Sequence, residues 1–133
     1  MAIKRYFATK DNTITNAYEF NLKTRATGSN MGQADILEAF SIYGQASTAS
    51  VSSSEVARSI IQFPVNNITT DRSAGTVPAS GSVNFYLKIY NAPHSLTTPK
   101  DFTLMVKPVS SSWQEGHGLD MDNYTDLTRD ITG

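Results

Sequence analysis

The chain contains no cysteine, a single tryptophan and two histidines, and charged residues make up only 17% of its 133 positions. Without cysteine there are no disulfide staples, no zinc–thiolate sites and no cysteine nucleophiles, and the redox compartment is left undetermined. The few charges nearly cancel, to a formal net charge of −1, and no basic run offers a phosphate backbone a complementary surface. Nucleic acid is therefore not an expected partner. Long hydrophobic runs are also missing. No stretch approaches the roughly 18–20 apolar residues of a membrane span. The opening Met-Ala-Ile-Lys-Arg-Tyr-Phe-Ala meets polar Thr9, Lys10, Asp11 and Asn12 before a secretory core of about 7–15 apolar residues can form. The expectation is a protein kept in the cytoplasm until something other than a signal peptide releases it.

What is present is a mixture of apolar residues (39%) with abundant Ser, Thr and Asn, the balance of an all-β extracellular or particle-borne domain. The length suits one domain with a core of its own. The clearest periodic signal is Ser80–Tyr90, Ser-Gly-Ser-Val-Asn-Phe-Tyr-Leu-Lys-Ile-Tyr. Val83, Phe85, Leu87 and Ile89 fall on one side of an extended backbone, and Asn84, Tyr86, Lys88 and Tyr90 on the other. Wound as a helix, the apolar set would scatter around the axis, and the Val, Ile, Phe and Tyr content also favours a strand.

Taken in order, residues 3–9 suit a first strand, Lys10-Asp11-Asn12 has turn chemistry, and Thr13 to Leu22 supplies further extended chain. Thr27 to Gly32 is a tight loop with two glycines. Ala34 to Ile42 fits either a helical or a strand face and is read as a strand; Gln45 to Ser54 is a low-complexity, exposed loop. Arg58 to Val65 is a strand with Ile61, Phe63 and Val65 on one face, ended near Pro64. Asn66 to Pro78 and Asn91 to Pro99 are polar excursions. Phe102, Leu104 and Val106 alternate with Thr103, Met105 and Lys107, and Pro108 ends that strand. About seven short strands with turn-rich connections predict an antiparallel β-sandwich or jelly roll over residues 1–112, with long loops. Residues 113–133 form an irregular acidic tail, either an inter-subunit contact or the start of a further segment.

No catalytic constellation accompanies these strands. His94 follows Ala-Pro in a loop and His117 lies between glycines, neither beside a nucleophile motif. Glu19, Glu38, Glu55 and Glu115 are the only glutamates. A glycosidase pair would have to approach within about 5–10 Å; the plainer roles of Glu38 and Glu115 are a cap or a turn hydrogen bond. Asp120 and Asp122 have the look of a calcium loop, but Thr125 and Ile131 stand where its Gly and Glu would be needed. The acidic tail then reads as solvated or as a contact surface. No cofactor or metal is expected. Candidate interface or ligand contacts are Tyr86, Lys88 and Tyr90 on the far face of the Ser80–Tyr90 strand, together with Trp113, Asp120, Asp122 and Tyr124. The tyrosine face either meets a partner or packs on a second strand layer. Trp113 either stacks on a sugar ring or closes the bottom of a core.

The order of motifs resembles the DNRLRE-type β-sandwich domains, particularly those of tailed-bacteriophage structural proteins. The pieces are Ala8-x-Lys-Asp11-x-Thr-Ile14, Asn30-Met31-Gly32 before Asp35-Ile36-Leu37, Arg58-Ser-Ile-Ile-Gln-Phe63-Pro-Val65, Ser80-Gly-Ser-Val-Asn-Phe-Tyr-Leu87 and Trp113-Gln-Glu-Gly116-x-Gly118. They span residues 8 to 118; the strand expected after the tryptophan motif is missing. The resemblance implies a jelly-roll sandwich and a non-enzymatic virion part made in the host cytoplasm. It would sit in the capsid (as decoration or cement), neck, tail or fibre, and its partners would be itself and other virion proteins in a multi-copy assembly. The alternative is a carbohydrate-binding or host-surface adhesion module with a glycan partner, using Trp113 and the tyrosines as a stacking platform.

Overall fold

The computed structural model of the chain describes residues 3–18, 25, 31–44, 53–79, 81–95 and 101–119. The fold is mostly β. Strands β1 (Lys10–Thr15), β2 (Phe40–Gly44) and β3 (Ser53–Gln62) form an antiparallel sheet in the order β1-β3-β2, and among the described residues one short helix, α1 (Val65–Ser73), follows it.

The sheet is staggered. β1 runs against the C-terminal half of β3, from Lys10 opposite Gln62 to Thr15 opposite Ala57. β2 runs against the N-terminal half, from Phe40 opposite Ala57 to Gly44 opposite Ser53. Ala57 is thus the one β3 residue with a ladder partner on both sides, and it is only 4% exposed. A small side chain fits where three backbones lie side by side. Beyond the end of β1 the ladder continues by substitution: the Asn16 side-chain oxygen accepts the Val56 N–H at 2.8 Å, and the Glu55 carboxylate accepts the Tyr18 N–H at 3.0 Å.

Several expectations shift. Residues 3–8 lie outside the ladder, Thr9 joins its end by donating its N–H to the Gln62 carbonyl at 2.8 Å, and Lys10-Asp11-Asn12, expected as a turn, begin β1. Asn and Asp favour turns when their side chains fold back onto neighbouring backbone. The Asn12 side-chain amide instead donates to the Glu115 carbonyl, far along the chain, and the strand survives. Of the strand expected over Ala34–Ile42, only Phe40 to Ile42 is in β2. Before it, side chains replace the ladder: Thr13 Oγ1 accepts the Glu38 N–H at 3.0 Å, and Ser59 Oγ donates to the Glu38 carbonyl at 3.2 Å. Of the expected loop Gln45–Ser54, Ser53 and Ser54 belong to β3, and residues 45–52 lie outside the described residues.

The expected polar connection Asn66–Pro78 holds helix α1. Pro64 cannot donate to the ladder, and its φ of −76° suits the start of a helix, so the strand stops and the helix begins. No apolar stripe advertised it, since none of its residues is buried. Thr70 and Ser73 hydroxyls donate back to the carbonyls four residues earlier. Gly75, at φ 72°, ends the helix in the left-handed conformation that glycine adopts without steric cost.

Asp71 of α1 tethers the N-terminal segment. The Tyr6 hydroxyl donates to Asp71 Oδ2 at 2.7 Å, and Lys4 Nζ lies 3.2 Å from the same oxygen. The Tyr6 hydrogen bond, then that of Lys4, holds the Asp71 carboxyl below its usual range; the same bond to Asp71 pushes the Tyr6 phenol up. A lowered carboxyl pKa stabilises the fold above the unfolded value, a contribution lost as pH falls through the folded one. A raised phenol pKa stabilises below the unfolded value and is lost as pH rises through the folded one. The tether is therefore expected to hold between about pH 4 and pH 10 and to weaken on either side. In a tyrosinate absorbance titration, Asp71→Asn should bring the ionisation of Tyr6 to lower pH than in the wild type.

Among the described residues the buried apolar side chains are Ala17, Ala57 and Val77, and no large side chain is fully buried.

Candidate functional site

Two features are built onto this sheet. The first is a latch. Residues 113–118 lie against β1 and the 31–34 turn. Glu115 Oε1 accepts the Asp11 N–H at 2.8 Å, Asn12 Nδ2 donates to the Glu115 carbonyl at 2.6 Å, and the Gln33 N–H donates to the Gly118 carbonyl at 2.9 Å. Gln33 Nε2 and His117 Nδ1 are 3.3 Å apart. Lys10 Nζ sits 6.0 Å from the Trp113 ring centroid and 3.5 Å from its carbonyl oxygen, so the half-buried indole closes the end of the latch.

Close approach of backbones makes the latch specific. A Cβ at Gly32 would overlap the Glu115 carbonyl oxygen and would lie 2.8 Å from that of Gly116. Gly116 turns the segment at φ 77°. Three motifs far apart in the sequence, around Asp11, Gly32 and Trp113–Gly118, thus meet at one place. Their order in the chain carried the resemblance; their contact could not be read from it. Asn12 and Gln33, which supply two of the bonds, carried no signal of their own.

Glu115→Ala should lower stability by about 1–3 kcal/mol, because the part-buried Asp11 N–H loses its charged acceptor. Glu115→Gln, which keeps a carbonyl oxygen in place, should cost less. Urea unfolding of the two variants beside the wild type measures the difference.

The second feature is a pair of open apolar segments. Residues 83–94 and 102–110 each run without a bend, and among the described residues no backbone hydrogen bond joins either segment to the sheet or to the other. Both alternating faces are open: Phe85 is 62% exposed, Tyr86 85%, Tyr90 81% and Val106 77%. Lys88 Nζ lies 4.9 Å from the Tyr90 ring centroid, which puts these two on one side of the backbone as the period-2 pattern expects.

Of the sequence candidates, Tyr86, Lys88 and Tyr90 thus fall together on an exposed face, while Trp113 stands apart in the latch. Asp120, Asp122 and Tyr124 lie outside the described residues. His94 is exposed. Among the described residues no group of three or more His, Asp or Glu side chains gathers that could hold a metal ion, and no helix is long and apolar enough to cross a membrane.

Comparison with known proteins gives no match: no family model, no curated protein and no solved structure matches the chain.

Proposed function

We propose that the chain is a non-enzymatic structural protein of a tailed-phage virion, of the DNRLRE-type sandwich or jelly-roll class, working through protein–protein contacts in a multi-copy assembly. The observation that carries this is the open apolar surface of residues 83–90 and 102–106, where Phe85, Leu87, Ile89, Phe102, Leu104 and Val106 are each at least 49% exposed. Such surface serves a protein that is completed by neighbours.

The test is mass spectrometry of purified particles of a phage that encodes this chain. The chain should be present at a fixed copy number relative to the other particle proteins. Its absence from particles would overturn the proposal. The exposure of Tyr86 and Tyr90 also suits the second reading, a glycan-binding adhesion module. A glycan array answers that directly: binding lost in Tyr86→Ala and Tyr90→Ala favours adhesion, and silence removes it.

A further inference from the structure

We propose that the two open segments pair with those of a second copy of this chain, residues 83–88 of each copy running antiparallel to residues 101–106 of the other in a two-fold dimer. This deepens the assembly reading above by naming the partner and the register.

Exposure comes first. The apolar side chains of both segments stand open: Phe85 is 62% exposed, Leu87 49%, Phe102 66%, Leu104 54% and Val106 77%. Next is backbone chemistry. Two straight, apolar segments with no ladder among the described residues present unpaired N–H and C=O groups, which an adjoining strand would satisfy.

Complementarity then selects the partner. Antiparallel alignment with Lys88 opposite Asp101 sets Leu87 against Phe102, Phe85 against Leu104 and Val83 against Val106. All three apolar pairs then share one face, and the charge in the first segment meets an opposite charge at the edge of the second. A slip of one residue turns the apolar set of one strand to the wrong face. A slip of two keeps the faces but puts Thr103 or Pro99 opposite Lys88. Lys88 and Asp101 therefore fix the register. Because each copy carries both segments, the contact is made twice, and the interface closes on itself as two-fold interfaces do. The opposite face then sets Tyr86 against Thr103, beside the Lys88–Asp101 pair.

The absence of native cysteine makes a direct test available. Directly opposed residues of an antiparallel pair have Cα atoms about 4.5–5.5 Å apart, within the span a disulfide bridges. Lys88→Cys and Asp101→Cys, each oxidised alone, should stay uncrosslinked at this pair; mixed, they should give a covalent two-chain species. Light scattering on the wild type should show a dimer. Lys88→Glu, which sets like charges together at both symmetric pairs, should weaken the dimer about tenfold, and Lys88→Glu with Asp101→Lys should restore it. Both positions are exposed in the single chain, so these variants leave its own packing alone.

A wild-type monomer across a concentration series, or no crosslink in the mixture, overturns the pairing. The particle test separates this from the function: a monomer found in virions leaves the virion role standing without the pairing. A crosslinking dimer absent from virions keeps the pairing and removes the role.

Discussion

Gly32→Ala is expected to lower the midpoint of thermal unfolding by about 10 °C. The added Cβ would overlap the Glu115 carbonyl oxygen and come within 2.6 Å of its carbon, and both obstacles are backbone, which cannot swing aside as a side chain does. The 113–118 segment must therefore lift away from the turn. With it go the Asp11–Glu115, Asn12–Glu115 and Gln33–Gly118 bonds. At about 1 kcal/mol net for each bond, the loss is about 3 kcal/mol. A differential scan of wild type and variant measures the shift. Glu115→Ala placed on top of Gly32→Ala should then cost little more, because both act on one latch. Full additivity of the two would show that Gly32 acts elsewhere.

Ala57→Asp should abolish the fold outright. Ala57 is the residue that both outer strands pair with, and its side chain is 4% exposed. A carboxylate there is either buried without a partner or forces the strands apart, at a cost of about 3–5 kcal/mol. Among the described residues the buried apolar side chains are two alanines and a valine, Ala57 itself included, so little packing there offsets the charge. Far-UV circular dichroism should show the strand signal lost, whereas Ala57→Ser, nearly the same volume with a hydroxyl able to bond locally, should retain it at reduced stability.

The strands that formed and those that did not divide on a physical line. Period-2 alternation made Val83–Tyr90 and Phe102–Lys107 strands, the first of them half-buried; neither has a ladder among the described residues, and both faces of each are largely exposed. Alternation reports only that a segment can be a strand; a ladder also needs a neighbour, and no rule of local sequence supplies one. β1 shows the converse. Lys10, Asp11 and Asn12 have poor strand chemistry, yet they pair with Ile60 to Gln62 because β3 lies alongside and because Glu115 engages the Asp11 N–H and the Asn12 amide. Helix α1 escaped notice because it buries none of its residues and so has no stripe to read; only Pro64 and Gly75, at its two ends, marked it. In the site, Glu115 was noticed as a glutamate with a plain hydrogen-bonding role, and it bonds the Asp11 N–H across 104 residues of chain, a distance over which sequence pattern carries no information.

That separation has a consequence for the order of events at the ribosome. β3 follows β1 closely, so the β1–β3 ladder can zip as soon as Gln62 has emerged. The latch cannot. Its carbonyls and its glycine turn lie about 55 residues beyond Gln62, and at about 5–20 residues per second that is a delay of about 3–11 s after the ladder can form. Throughout it the outer edge of β1 is a bare strand edge, open to any neighbouring nascent chain. Translation speed across the second half of the message, rather than sheet formation, therefore sets how long each new molecule remains adhesive before residues 113–118 cover it.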